Sequence, residues 1–285
     1  MQKSIDKKIL ITGGNGFLGS HLFYQLKRIC KQVYLYEGDV RGIGSFSKHY
    51  DIVCHLAAIN KTEHNDVGLL FDTNVNGTLA VMRYCLRVGA KCIFASSSAV
   101  YKPTKQNKRI TEHSCIRPAS LYGVSKMLAE NICKYYAENF GVSVVVLRIF
   151  NIYGPGQEAP FLIPDITRQL PKNKSISLIS PMACRDFVYV TDVVKAFILS
   201  CRLRYKRFLI LNVGTGECSS VYNFAKKFLS RIKPKAQLNK GAINSLGRDY
   251  VIANIRNISK ILKWHPTVSR EDGLTMIVNT ILQKE

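Results

Sequence analysis

Residues 8–20, KILITGGNGFLGS, constrain the fold of this chain more than any other stretch. A short apolar run (Ile9, Leu10, Ile11) reads as a buried strand. It halts at Thr12-Gly13-Gly14 and leads through Gly16 and Gly19 into the helical spacing of Leu18, Leu22 and Leu26. The three spaced glycines have separate mechanical tasks. Gly13 permits a tight turn, Gly16 lets the backbone approach a pyrophosphate, and Gly19 lets the helix lie close on the strand. Free amides at the positive end of that helix then hold phosphate, with Asn15, Phe17 and Leu18 in the same turn. A second apolar run, Val33-Tyr34-Leu35-Tyr36, ends in Glu37, an acid placed to accept hydrogen bonds from an adenine ribose. Strand, glycine turn, amphipathic helix, strand and acid in that order predict a dinucleotide site.

The same alternation continues. Residues 51–58, DIVCHLAA, form a third apolar strand entering the small-residue turn Leu56-Ala57-Ala58. Residues 66–88 carry a helical spacing with Leu70, Val75, Leu79 and Met82 inside; 91–98 read as a strand, 121–140 as a helix and 143–149 as a strand. Strands alternating with helices predict an α/β fold, a Rossmann-type doubly wound parallel sheet covered on both faces, with ligands beyond the carboxyl ends of the strands. After Asn151 the texture changes, and Pro155, Pro160, Pro164, Pro171 and Pro181 interrupt short segments. We therefore expect a dinucleotide-binding domain over 1–150 and a smaller substrate-binding lobe over most of 151–285, with 183–213 returning to the first domain.

Composition narrows the class. Of the 285 residues 47% are hydrophobic, enough for a large core, and no apolar run nears the roughly 18–20 residues of a membrane span. The opening MQKSIDKK lacks the apolar core of a signal peptide. The 9 cysteines are odd in number and include no CxxC pair, which fits reduced packing thiols of a cytoplasmic protein and neither a disulfide framework nor a metal site. The net charge of +22 is dispersed along the chain, as solvated faces are; it does not predict nucleic-acid binding, and a dianionic substrate needs only two or three of these cations.

Chemistry concentrates in Tyr122-Gly-Val-Ser-Lys126 and in Ser96-Ser97-Ser98 upstream. On a helix, positions i and i+4 share a face, so the Tyr122 hydroxyl and the Lys126 ammonium address one site. An unperturbed phenol titrates near 10, too high for a base at neutral pH. A neighbouring ammonium favours phenolate and makes the pair a general acid/base. Ser97, closing its strand, is placed to hydrogen-bond the reacting oxygen, beside Ser98.

With these residues in view, the chain resembles the extended short-chain dehydrogenase/reductase family, in its sugar-nucleotide epimerase/dehydratase branch. TGGNGFLGSHL, HLAA, Asn74 within TNVNGT, SSSAVY, YGVSK, Asn151 within NIYGPG, RDFVYVTDV at 185–193 and NVGTG at 212–216 all look like family signatures in family order. The resemblance implies that Tyr122 is the acid/base, that Lys126 also holds the nicotinamide ribose and that Ser97 orients the substrate. It implies cofactor contacts from Gly13 to Gly19, from Leu56-Ala57-Ala58 and from Asn74, and substrate contacts from Asn151, Arg185, Asn212 and Arg248. The implied partners are a nucleoside-diphosphate sugar and, through helices 66–88 and 121–140, a second copy of the chain.

Two departures matter. Family members that resemble this chain and eliminate water carry Asp-Glu after the residue matching Ser97, whereas Ser98-Ala99 stands here and supplies neither acid nor base. Epimerase/reductases similar to GDP-fucose synthase place a cysteine where Ala99 stands here, so the resemblance also disfavours carbanion-type epimerisation at C3 or C5. Hydride chemistry at C4 of the sugar remains, favoured as 4-epimerisation, with 4-ketosugar reduction as the alternative and a non-catalytic dinucleotide sensor or RNA binder as a remote third. The segment between Glu37 and Asp51 is also contracted, and Gly38-Asp39-Val40-Arg41 follows Glu37 at once. Either Glu37 is the ribose acid, which we favour, or Asp39 is. An acid there repels a 2′-phosphate, which points to NAD; Arg41 keeps NADP open.

Overall fold

The computed structural model of the chain describes residues 4–60, 66–105, 108–170, 175–205, 207–239 and 249–283. The glycine-rich stretch folds as its pattern predicts, with β1 (Ile9–Thr12) buried throughout and α1 (Phe17–Lys27) following. β2 (Val33–Tyr36), β3 (Ile52–His55), β4 (Lys91–Ser97), β5 (Val144–Ile149) and, late in the chain, β10 (Phe208–Val213) complete a six-stranded sheet in the order β10-β5-β4-β3-β1-β2, parallel throughout. The contracted segment explains the sheet's edge: only a 3-10 turn over Val40–Ser45 separates β2 from β3, so β2 ends the sheet.

Successive side chains of a strand face opposite ways, and both faces of a parallel sheet must be covered. Ile9, Ile11, Ile52, Cys54, Ile93 and Leu147 enter one core with Leu22 and Leu26 of α1 and with Val193 and Phe197 of α6 (Val190–Arg202). Leu10, Val53, Cys92, Phe94 and Val146 enter the other. There they meet Val81, Met82 and Cys85 of α3 (Gly77–Val88) and Ala129 and Cys133 of α4 (Leu121–Phe140). The helix expected over 66–88 is interrupted. Val67–Phe71 forms α2, and a π turn over Asp72–Asn76 joins it to α3. The strand expected over 91–98 closes at Ser97, where a 3-10 turn begins.

Beyond β5 the elements shorten. β6 (Asn151–Tyr153) pairs with β9 (Phe187–Tyr189), and β8 (Cys184–Arg185) lies between β11 (Ser219–Ser220) and β13 (Tyr250–Val251). β7 (Ser175–Ser177) pairs with β12 (Gln237–Asn239). A third core gathers α5 (Leu162–Gln169), α7 (Val221–Ile232) and α9 (Arg270–Leu282) around Tyr153, Phe187 and Phe224, with the Phe187 and Phe224 rings stacked 3.8 Å apart.

The cysteine expectation needs correction. Cys184 and Cys218 form a disulfide, their Cα atoms 5.7 Å apart, within ordinary disulfide reach. The sequence spacing hid this pairing because it arises from β8 lying against β11. The other seven cysteines are free, and all but Cys115 are buried.

Candidate active site

One cavity of about 900 Å³ opens at the carboxyl ends of the central strands. The glycine turn forms one end. Gly13 adopts φ +70°, and a Cβ there would stand 2.5 Å from the backbone nitrogen of Ala57. A Cβ on Gly19 would collide with the carbonyl of Gly13, so α1 can pack against the turn only with glycine in that place. At Gly16, by contrast, the nearest atom to such a Cβ is 3.4 Å away, and the residue lines the cavity. The space before Gly16 is thus backbone-lined, at the N-terminus of a helix whose cap carries no side-chain hydrogen bond and whose first turn carries no acid. That arrangement fits the pyrophosphate of a dinucleotide. Asn15, Phe17, Leu18, Leu56, Ala57 and Ala58 line the same end.

Behind it, a buried relay fixes the turn after β3. Thr78 Oγ1 donates to the Asn74 carbonyl (2.6 Å), which leaves it to accept from His55 Nε2 (3.0 Å); His55 Nδ1 then accepts from Thr12 Oγ1 (2.7 Å). Burial holds the His55 imidazole neutral, its pKa pushed down to about 3. Asn74 itself is buried and does not face the cavity. Its side chain accepts from the Ile59 amide, 2.8 Å, and donates to the Ile59 carbonyl, 2.9 Å, and to Ser125. The sequence reading placed it on the cofactor; the structure makes it the clamp on the loop after Ala58.

The other end of the cavity holds the catalytic candidates, and here the structure brings Ser97, Tyr122 and Lys126 together. β4 ends in Ser97, and α4 begins at Ser120, whose hydroxyl accepts from the Gly123 amide as its N-cap. Tyr122 thereby sits in the first turn of α4 and Lys126 in the second. The Ser97 side chain accepts from the Ala99 amide, 3.1 Å, and lies on the cavity wall with Tyr122, near enough to lower its phenol. Lys126 donates to the Ala95 carbonyl at 2.9 Å, with its ammonium 4.8 Å from the Phe94 ring centroid and 6.0 Å from that of Tyr122. Burial raises the Tyr122 phenol to about 12, the nearby Ser97 hydroxyl offsetting part of that, and lowers the Lys126 ammonium to about 8. Each group resists charging in this wall, and the lowering of the Tyr122 phenol expected from the Lys126 ammonium is outweighed by burial.

Asn151 and Arg185 reach the cavity from the C-terminal lobe, and Ser98 lies beside Ser97. Arg185 pairs with Asp249 at 3.3 Å and also donates to the Cys184 and Asp249 carbonyls. Its neighbour Asp186 is buried, which raises its carboxyl, and accepts from the Thr215 and Gly216 amides at 2.7 and 2.8 Å. It builds the 212–216 loop from within.

Three other expected contacts do not line the cavity. Asn212 is fully buried, donating to the Ile110 carbonyl and accepting from the Tyr101 hydroxyl, because its place inside β10 turns it into the molecule and away from the cavity. The Asp39 carboxylate accepts from the Arg41 guanidinium and amide, and this exposed pairing holds it down at about 2. Glu37 is exposed directly after β2, outside the cavity wall. Arg248 lies outside the described residues. Reading the sequence also missed Gln157, Glu158 and Phe161, which line the cavity. No signal marked them, since they lie in irregular chain after the NIYGPG run. Among the described residues no cluster of His, Cys, Asp or Glu could hold a metal, and no helix is long and apolar enough to cross a membrane.

A family model described as "NAD dependent epimerase/dehydratase family" matches residues 9–214, from β1 to the end of the six-stranded sheet. The chain belongs to this family. Its relatives include an "Uncharacterized UDP-glucose epimerase YtcB" of Bacillus subtilis, 27% identical over 94% of this chain and 96% of the relative. Another is a dTDP-4-dehydro-6-deoxyglucose reductase of Escherichia coli, 26% identical over 96% of this chain and 97% of the relative. Among solved structures, MoeE5 in complex with UDP-glucuronic acid and NAD is 25% identical with TM-score 0.86, covering 98% of this chain and 100% of that one. The UDP-glucose 4-epimerase of Thermotoga maritima with UDP-glucose is also 25% identical, with TM-score 0.85, covering 97% of this chain and 99% of that one. The motif resemblance and the Rossmann-type sheet are thereby borne out, and the chain is a sugar-nucleotide enzyme of the epimerase/dehydratase family.

Proposed function

We propose that this protein is an NAD-dependent 4-epimerase of a UDP-hexose. The observation that carries the reading is the convergence of Ser97, Tyr122 and Lys126 on a cavity continuous with the glycine turn, with Ala99 where elimination chemistry needs an acid or base. Tyr122 takes the proton of the sugar C4 hydroxyl while Ser97 hydrogen-bonds the same oxygen. Lys126 stabilises the phenolate and hydrogen-bonds the ribose next to the nicotinamide. Bound NAD supplies an acceptor and donor of hydride at that carbon. Once the 4-keto sugar has turned over, Tyr122 returns its proton and leaves the opposite configuration. Arg185 and Asn151 hold the diphosphate during the turn, Arg185 exchanging its Asp249 partner for phosphate oxygens. Gly13, Asn15, Gly16, Phe17, Leu18, Gly19, Leu56, Ala57 and Ala58 hold the cofactor, and Glu37 takes the adenine ribose, which favours NAD over NADP.

Relatives that carry epimerase names and the UDP-sugar complexes with NAD support this reading. 4-Ketosugar reduction is the second reading, supported by the reductase relative of similar length. Purified protein incubated with UDP-glucose and no added cofactor decides between them. Epimerisation yields UDP-galactose by NMR, and denaturation releases about one NAD per chain. Absence of turnover until NADH or NADPH and a 4-keto sugar nucleotide are supplied establishes the reductase. We place the enzyme in the cytoplasm, as seven free cysteines suggest, and as a homodimer through the exposed Leu86, Leu121, Tyr135 and Phe140 of α3 and α4.

A further inference from the structure

Three successive turns of α4 face three successive residues at the end of β4. Tyr122 stands at the cavity with Ser97, Lys126 donates to the Ala95 carbonyl, and Glu130, one turn deeper, accepts from the Ser96 hydroxyl. The first two rungs present their helix side chains to the cavity; Glu130 and Arg148 lie outside its lining and reach it only through Ser96 and Tyr101. Glu130 is 5% exposed and Arg148 of β5 4%. The guanidinium grips the carboxylate as a fork, Nε to Oε1 at 2.9 Å and Nη2 to Oε2 at 2.6 Å. Arg148 also donates to the Tyr101 hydroxyl, 2.8 Å, and to the Glu112 carbonyl, 3.1 Å, with its guanidinium carbon 4.8 Å from the Tyr101 ring centroid. Tyr101 in turn donates to Asn212 of β10 at 2.7 Å, and Glu112 accepts from the Asn212 amide and the Asn257 side chain. One polar network thus ties α4 to β4, β5 and β10.

Such a pair is poorly explained by stability, because desolvating two charges cancels most of what their attraction gains, and apolar replacements of equal volume often stabilise. What the network supplies is register. Helix and strand could slide against one another on the apolar contacts of Phe94, Ala129 and Cys133, whereas a forked ion pair has one geometry. We propose that Glu130 and Arg148 are positioning residues that lock α4 in register on β4 and so set the approach of the Tyr122 hydroxyl to Ser97 and to the sugar C4 oxygen. A misplacement of about 1 Å at a reacting group costs on the order of 10²-fold in rate. Loss of the lock therefore lowers kcat and leaves ground-state binding, which uses the glycine turn and Arg185, nearly untouched.

The inference rests on the epimerase reading for its kinetic arm, and its structural arm is independent of it. Glu130→Gln alone leaves a buried guanidinium uncompensated and endangers folding, so the deciding variant is the neutral double Glu130→Gln/Arg148→Met. Arg148→Lys serves as its companion, keeping the charge and losing the fork. With UDP-glucose, both variants are expected to lose about 10- to 100-fold in kcat, with KM within twofold. The deuterium isotope effect from C4-deuterated UDP-glucose rises as the chemical step becomes limiting. A merely structural role lowers the fraction of folded enzyme and moves neither KM nor the isotope effect. In parallel, hydrogen exchange by mass spectrometry is expected to speed up in peptides covering 119–127 and to stay unchanged over α1. Wild-type kcat and isotope effect in the double variant would overturn the proposal. If the wild-type chain turns over no sugar nucleotide, the epimerase reading alone fails. Exchange over 119–127 then decides: faster in the double variant supports the lock, and equal to wild type overturns it.

Discussion

Two parts of the cavity wall are built differently. Ser97, Tyr122 and Lys126 stand at the end of a central strand and in the first two turns of a 20-residue helix, with Ser97 and Lys126 each tied to a neighbour. Arg185 and Asn151 stand on strands of two and three residues, and Gln157, Glu158 and Phe161 on the chain that follows β6. Proton transfer tolerates little positional error, while gripping a diphosphate relies on charge, which acts over longer distances. On the proposed function, rigid elements carry the reacting groups and the short elements beyond β5 carry recognition, where substrate preference can change without disturbing the chemistry.

This contrast can be broken most directly at Tyr122. Tyr122→Phe is expected to lower kcat by roughly 10²–10⁴ while UDP-sugar affinity, measured by calorimetry, stays within a few-fold, the usual share of one acid/base group. Near-normal turnover would remove the rigid part from the mechanism. Lys126 tests the same part through stability. Its ammonium is depressed in the fold to about 8 from 10.5, so the folded state binds its proton less tightly than the unfolded chain. The buried charge therefore destabilises below pH about 8, and the cost fades as pH rises from there to the unfolded value. Lys126→Met is expected to be more stable than the parent at pH 7 by roughly 3 kcal/mol, inactive, and to lose that advantage near pH 10.5 in urea titrations. An advantage independent of pH contradicts the assignment.

Arg185→Ala probes the recognition part. Its KM is expected to rise about 10- to 150-fold with kcat within a few-fold, since a charged hydrogen-bonded partner contributes about 1.5–3 kcal/mol. A fall in kcat alone would place Arg185 with the reacting groups and erase the contrast. The smallest effect belongs to Glu37, exposed beyond β2. Glu37→Ala is expected to narrow the preference for NAD over NADP by about 1.5- to fivefold, the size of one solvent-exposed charge interaction, read from reconstitution of stripped enzyme with each cofactor.

The amino-acid sequence by itself determined the sheet and its glycine turn. β1, α1 and β2 follow from an apolar run, three spaced glycines and a 3.6-residue period, all local features with local physical causes. It also determined that Tyr122 and Lys126 share a helix face, because a separation of four residues in a helix permits nothing else. Only the tertiary structure decided the rest. Asn74 and Asn212 carry the same side chain as Asn151, yet two are turned inward to satisfy buried backbone and hydroxyl groups and one faces the cavity. Which way an asparagine points depends on the partners that distant segments bring to it. The same holds for Asp39, captured by Arg41, for Cys184 and Cys218, joined because β8 lies beside β11, and for Glu130 and Arg148, whose pairing needs α4 laid across β5. Periodicity records which face of an element is buried. The partner met on that face is fixed by long-range packing.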